Sequence, residues 1–189
     1  METLLKFIHS ITEFSAESWA LLQPALSKRR FAKNEFLLKE GDVCNSLFFI
    51  EEGYCRSYYV LDGIEKNTAF FLENDIATNI RSFGSGQRSE ANIIACEPLT
   101  AIVFDKEKLF QISKQVPEIE TLGRNCIRVF AIKQEEFAVL FNIYAAKDRL
   151  AYIEEKHPKL LQRVSQTQLA SFLGIARETL SRIRKRRVH

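Results

Sequence analysis

Residues 160–187 read Leu-Leu-Gln-Arg-Val-Ser-Gln-Thr-Gln-Leu-Ala-Ser-Phe-Leu-Gly-Ile-Ala-Arg-Glu-Thr-Leu-Ser-Arg-Ile-Arg-Lys-Arg-Arg. Ser165 is suited to cap a helix, and Gln168 three residues on completes a capping box. The helix is expected to run to about Leu173, where Gly174 supplies a positive-φ turn residue. A second helix then starts near Arg177. Leu169, Leu173, Ile175, Leu180 and Ile183 hold the pair together, and Ala170 must be small for the two backbones to approach. This is helix-turn-helix spacing.

The second helix carries groups that read base edges. Arg177, Glu178 and Thr179 occupy its first turn and Arg182 lies one turn further. An arginine pairs bidentately with guanine O6 and N7, and a glutamate accepts from cytosine N4. A carboxylate facing polyanionic DNA is repelled unless it makes a specific contact, so Glu178 argues for sequence-specific reading. The alternative is that Glu178 complements the helix dipole.

Charge supports the same end of the chain. Of 27 Lys and Arg and 24 Asp and Glu, residues 145–189 hold 11 and 4, a surplus of +7. Residues 1–144 hold 16 and 20, so a net charge of +3 is a mildly acidic body with a basic tail, the pattern of a nucleic-acid or anionic-surface binder.

Upstream, residues 117–144 change period. Ile127, Phe130, Gln134, Phe137, Phe141 and Tyr144 recur at 3-4-3-4-3, a heptad seam with one polar slot. Ile119, Leu122, Cys126, Val129, Leu140 and Ile143 supply a second apolar face. A helix of about 27 residues would be about 40 Å long. Two apolar faces need two partners, a β domain and the same helix of a second subunit; the alternative is a core helix of one domain.

From about Phe31 to Phe104 the texture is β. Leu47 to Ile50, Tyr54 to Val60, Thr68 to Leu72, Ala91 to Ala95 and Thr100 to Phe104 are strand-length and rich in branched and aromatic residues, with turn signals between. Regular short strands indicate a sandwich or barrel. The first thirty residues place Leu4, Leu5, Ile8, Ile11, Trp19, Leu22 and Leu26 at helical spacing, broken by Ser15 and Pro24.

The remaining chemistry is sparse. Cys44, Cys55, Cys96 and Cys126 form no CxxC pair and sit among apolar neighbours, so reduced core thiols are expected. His9, His157 and His189 are scattered, so no metal site and no catalytic constellation is expected. No apolar run approaches the roughly 18 residues of a membrane span, and the N-terminus lacks a signal-peptide core. A cytoplasmic protein with no membrane association is expected.

Ala176-Arg177-Glu178-Thr179-Leu180-Ser181-Arg182 resembles the recognition-helix signature of the cyclic-AMP receptor protein/fumarate-nitrate regulator (CRP/FNR) family of bacterial transcription regulators. Arg30 to Asp42 and Leu47 to Gly53, with Gly41 and Gly53 at turns, are similar to the opening of its cyclic-nucleotide-binding β-roll. The resemblance covers nearly the whole chain. It implies an α+β fold: N-terminal helices and a double-stranded β-helix (jelly-roll) sensor domain over 1–116, a dimerisation helix over 117–144, and a helix-turn-helix domain over 145–189. The hinge is expected near Asn142 to Lys147.

The resemblance further implies a homodimer on a near-palindromic operator of double-stranded DNA, with half-sites roughly 34 Å apart. RNA polymerase is the partner implied by the family. Arg177, Glu178 and Arg182 would contact bases, and Ser165, Gln166, Thr179 and Lys185 phosphates. The dimer seam would be Ile127, Phe130, Gln134, Phe137, Phe141 and Tyr144.

Three departures qualify the expectation. The family's cassette places a Gly-Glu pair before an Arg-Ser/Thr-Ala triplet; here the corresponding residues are Glu73, Asp75, Arg88 and Ser89, without the glycine and with Glu90 where a phosphate would dock. No resident cofactor is expected, a cyclic nucleotide being the effector the family would suggest. With the sequence running to His189, an incomplete wing is expected, and the basic run 184–187 would partly substitute. Ala176 replaces a polar cap, a loss of about 1 kcal/mol. The expected function is a homodimeric, sequence-specific transcription regulator under an unidentified effector; the alternative is a cyclic-nucleotide-binding signalling module without a DNA target.

Overall fold

The computed structural model describes residues 1–185. The chain begins with α1 (Glu2–Ile11) and α2 (Ala16–Leu22), followed by a 3-10 turn that contains Pro24. The strands are β1 (Leu26–Phe31), β2 (Phe36–Leu38), β3 (Ser46–Glu52), β4 (Cys55–Leu61), β5 (Ile64–Phe71), β6 (Ile76–Ala77), β7 (Asn92–Ala95) and β8 (Leu99–Asp105). Between β6 and β7 lies α3 (Ile80–Ser85), and α4 (Lys106–Ser113) follows β8. The long α5 (Pro117–Ile143) precedes α6 (Ala146–Lys156), α7 (Pro158–Arg163), α8 (Gln166–Leu173) and α9 (Arg177–Lys185).

The strands form two four-stranded sheets, β1-β8-β3-β6 and β2-β7-β4-β5. In the first, β1 runs antiparallel to β8 from Leu26 opposite Phe104 to Phe31 opposite Leu99, and β3 lies on the other side of β8. The fold is the expected α+β one: a β-roll of two four-stranded sheets, a long helix and C-terminal helices.

The chain divides into two compact units. The first comprises Met1–Ser57 with Phe71–Phe130, and the second Tyr58–Phe70 with the residues from Ala131 on. The core of the first gathers Leu4 and Ile8 of α1, Leu22 of α2, Phe49 and Ile102 from the sheet, and Ile119 and Leu122 of α5. Leu4 and Ile8 are four apart and so share a helix face. Each such side chain contributes roughly 1.5–3 kcal/mol by leaving water. Ser15 caps α2 by accepting from the Ser18 amide at 3.1 Å. Ser15 in turn donates its own amide and hydroxyl to the Glu118 carboxylate, at 2.7 and 2.8 Å.

Gly53, at the β3–β4 turn, has φ +86° and sits so close to the chain that an added Cβ would lie 2.5 Å from the Pro98 carbonyl oxygen. A side chain fails there on both counts.

In the second unit, Leu150, Ile153, Leu160, Leu169, Leu173 and Leu180 are buried. Pro158 stops α6 and starts α7, because it lacks the amide that would continue the helix.

Two sequence expectations need correction. Leu26, taken with the helical positions, begins strand β1; this edge strand exposes Ser27 to Arg30 in a row, so no alternation marks it. Val129 and Ile143, assigned to the second apolar face, are exposed at 41% and 73%, whereas Ile119, Leu122 and Leu140 of that set are buried.

Candidate nucleic-acid interface

Helix α8 starts as its sequence demands. Ser165 Oγ accepts from the Gln168 amide at 3.2 Å, and the Gln168 side chain accepts from the Ser165 amide at 3.3 Å, which completes the capping box. Gly174, at φ +70°, closes the helix and turns the chain into α9. Leu169, Ala170, Leu173 and Leu180 are buried and join the two helices, with Ala170 at 2% exposure giving the close approach its size requires.

The geometry leaves one face of α9 open. Arg177, Glu178, Arg182 and Lys185 are exposed, and Thr179 is half-buried. Arg182 Nη2 lies 3.3 Å from Thr179 Oγ1, so the hydroxyl accepts from the guanidinium and holds it along the helix. Ser165 and Gln166 are exposed at the start of α8, where free backbone amides attract an anion. Ser165 Oγ accepts within its capping box, and its hydrogen remains able to donate outward. Of the basic run 184–187, Arg186 and Arg187 lie outside the described residues.

The turn between α5 and α6, where the hinge was expected, is braced by Arg149, a residue that no sequence motif marks. Its guanidinium donates to the carbonyls of Phe141 at 2.7 Å, Tyr144 at 2.8 Å and Leu173 at 3.2 Å. A cation is favourable at both places, because the last carbonyls of a helix are unpaired and carry partial negative charge. Next to it Phe172 of α8 stands edge-on to Phe70, Phe137 and Phe141, with ring centroids 5.3, 5.8 and 5.4 Å away. Two members of the expected dimer seam, Phe137 and Phe141, therefore pack against the helix-turn-helix of their own chain. Ile127, Gln134 and Tyr144 are exposed and Phe130 is half-buried.

The expected effector residues are engaged in holding turns. Glu73 Oε1 accepts from the Gly53 amide at 3.0 Å, and Asp75 Oδ2 from the Leu72 amide at 3.0 Å. Arg88 donates to the Gly41 carbonyl at 3.1 Å. Ser89 is buried; its hydroxyl donates to the Ala91 carbonyl and accepts from Asn79 Nδ2 at 2.8 Å. Asn79 also caps α3 by accepting from the Ser82 amide. It is the residue that meets Ser89, and its signal was an asparagine three residues before a serine with Gly86 closing the helix.

The four cysteines are free, with Cys44 and Cys55 buried and Cys96 and Cys126 half-buried. Burial pushes the Cys55 and Cys96 thiols up, and that of Cys126 to about 11. Such thiols stay protonated and unreactive at neutral pH. Among the described residues no group of three His, Cys, Asp or Glu could hold a metal ion. No described helix is long and apolar enough to cross a membrane.

In chain order the protein carries a β-roll, a long helix and a C-terminal helix-turn-helix. Residues 28–116 match the family model of the cyclic nucleotide-binding domain. The transcriptional activator protein anr of Pseudomonas aeruginosa is 24% identical over 173 residues, covering 82% of this chain and 68% of its own length. The fumarate and nitrate reduction regulatory protein of Escherichia coli K12 is 26% identical over 169 residues, covering 82% and 66%. Among solved structures, FixK2 from Bradyrhizobium japonicum superposes with a TM-score of 0.73 at 18% identity over 85% of this chain and 83% of its own. The regulator CLP of Xanthomonas campestris gives 0.67 at 18% identity over 91% of each. Residues 28–116 thus match a cyclic nucleotide-binding domain, and over most of its length the chain is similar to transcription regulators of the CRP/FNR type.

Proposed function

We propose that the protein is a sequence-specific, homodimeric DNA-binding regulator whose β-roll senses an unidentified effector. The observation that carries the reading is the open face of α9, where Arg177, Glu178 and Arg182 stand exposed on a helix that a capping box and Gly174 orient. Arg177 and Arg182 supply forks for guanine edges, and Glu178 an acceptor for a cytosine amine. Ser165, Gln166, Thr179 and Lys185 hold phosphates and fix the register. Two copies pair along α5 through its outward residues, with Ile127 and Gln134 at the centre of the seam. Phe137 and Phe141 serve both the seam's edge and the Phe172 cluster.

The segments 1–116, 117–144 and 145–189 act as sensor, dimer helix and reading head. A change in the sensor shifts the reading heads relative to each other and hence their match to two half-sites. The protein acts in the bacterial cytoplasm, with RNA polymerase as the partner through which a bound regulator acts. No resident cofactor and no catalysis belong to this reading.

Fluorescence anisotropy with a palindromic duplex at several salt concentrations tests it. A reader of DNA shows a steep salt slope and retains a preference over random duplex. Thermal shifts with cyclic nucleotides, in the absence of any sequence preference, would instead mark a signalling module without a DNA target.

A further inference from the structure

Strand β5 is the edge of its sheet, and an edge strand presents unpaired backbone amides and carbonyls. Within the second unit, one side chain of α8 occupies a pair of them. Ser171 Oγ donates to the Glu65 carbonyl at 2.9 Å and accepts from the Asn67 amide at 3.0 Å. Residues i and i+2 of a strand point their backbone groups to the same side. A neighbouring strand in parallel register would bridge that same carbonyl and amide with the amide and carbonyl of one residue. The Ser171 hydroxyl, donor and acceptor at once, does this from a helix. The Asn67 side chain returns the contact, its Nδ2 donating to the Gln168 carbonyl at 3.2 Å. Phe70 and Phe172 close the other side of the junction, with their rings 5.3 Å apart.

We infer that this clasp between the edge of β5 and Ser171 is an autoinhibitory latch. It holds the helix-turn-helix in a resting pose, and operator binding requires its release. The inference rests on the DNA-reading function proposed above and adds to α5 a second route by which the sensor controls the head. The strands of the hairpin are rooted in the first unit, since Cys55–Ser57 and Phe71 belong there, while its outer part belongs with α8. A movement at the root of the hairpin is therefore carried along β5 to Ser171. The contact is polar and half-exposed, so water replaces its hydrogen bonds on release, unlike those of a sealed core. It also leaves Arg177, Glu178 and Arg182 uncovered. The latch acts by restraining the pose of the head and does not block its reading face.

Two measurements on the full chain test the latch. Hydrogen–deuterium exchange resolved to single amides reads the clasp directly. The Asn67 amide is protected in the parent, exchanges at least about tenfold faster in Ser171→Ala, and regains protection in Ser171→Thr, which keeps the hydroxyl. Anisotropy with a duplex enriched by the parent from a random pool reads the consequence. Ser171→Ala binds that duplex more tightly, within the range of about 5- to 150-fold ordinary for a coupled equilibrium. Asn67→Ala tightens binding as well, and combining the two changes gives less than the product of the single effects. Unchanged exchange at Asn67, or unchanged or weaker binding by Ser171→Ala, overturns the latch. A parent that enriches no duplex overturns the DNA-reading function instead, a result the exchange data do not produce.

Discussion

Arg149 donates from Nη1 to the carbonyl of Leu173 at 3.2 Å, which ties the first turn of α6 to the last turn of α8 across 24 positions of sequence. The same guanidinium reaches the Phe141 and Tyr144 carbonyls at the end of α5. One side chain thus fixes both sides of the turn in which the hinge was expected, Asn142 to Lys147. Replacing Arg149 by Ala leaves three helix-end carbonyls without this donor and should cost about 2–4 kcal/mol. Lysine should recover less than half of that, because a single ammonium does not span three acceptors as a planar guanidinium does. Urea unfolding followed by far-UV circular dichroism measures both variants.

Gly53 and Gly41 both have positive φ, 86° and 88°, yet they differ in surroundings. A Cβ at Gly53 would meet the Pro98 carbonyl oxygen and Leu99 Cα at 2.5 and 2.9 Å, whereas one at Gly41 would meet nothing within 4 Å. Gly41→Ala should cost about 1 kcal/mol for the backbone alone. Gly53→Ala adds a backbone clash and should cost about 3 kcal/mol or more. Thermal unfolding of the two variants side by side isolates the clash.

Glu118 supplies a pH dependence to the first unit. The Ser15 amide, then the Ser15 and Ser18 side chains, hold its carboxyl below the usual carboxylate range. A carboxylate lowered in the folded state stabilises it above the unfolded value of about 4.3, and that contribution is lost as pH falls through the lowered native value. Glu118→Gln should therefore melt below the parent at pH 7, with the gap narrowing as the pH falls below 4. Melting temperature against pH for the two proteins checks the sign.

The legible parts of the molecule were those in which local chemistry alone decides. Ser165 with Gln168, followed by Gly174, announced α8 and its turn, and the structure has the capping box and the αL residue in place. The long helix, expected over 117–144, spans Pro117–Ile143. Partners distant in sequence were not legible. A 3-4 spacing marks an apolar helix face without naming what covers it, so Phe137 and Phe141 read as a subunit seam although Phe172 of the same chain covers one side of them. Ser171 and Asn67 lie 104 residues apart, and a serine on a helix carries no sign of the strand edge it bonds. Strand β1 was hidden by its position: as an edge strand it tolerates the polar run Ser27 to Arg30. Glu73 and Asp75 matched a ligand cassette in residue type, while their carboxylates accept from the turn amides of Gly53 and Leu72.

The central claim is that the exposed face of α9 reads bases, and Arg182 tests it most directly. Selection of bound duplexes from a random pool, with affinities then measured for the parent and Arg182→Ala, should give a near-palindromic motif for the parent. The variant should lose about 1–3 kcal/mol on that motif and relax its preference at one position of each half-site. A pool that yields no motif, or an Arg182→Ala variant that binds the parent's motif with the parent's affinity and base preference, would contradict the account.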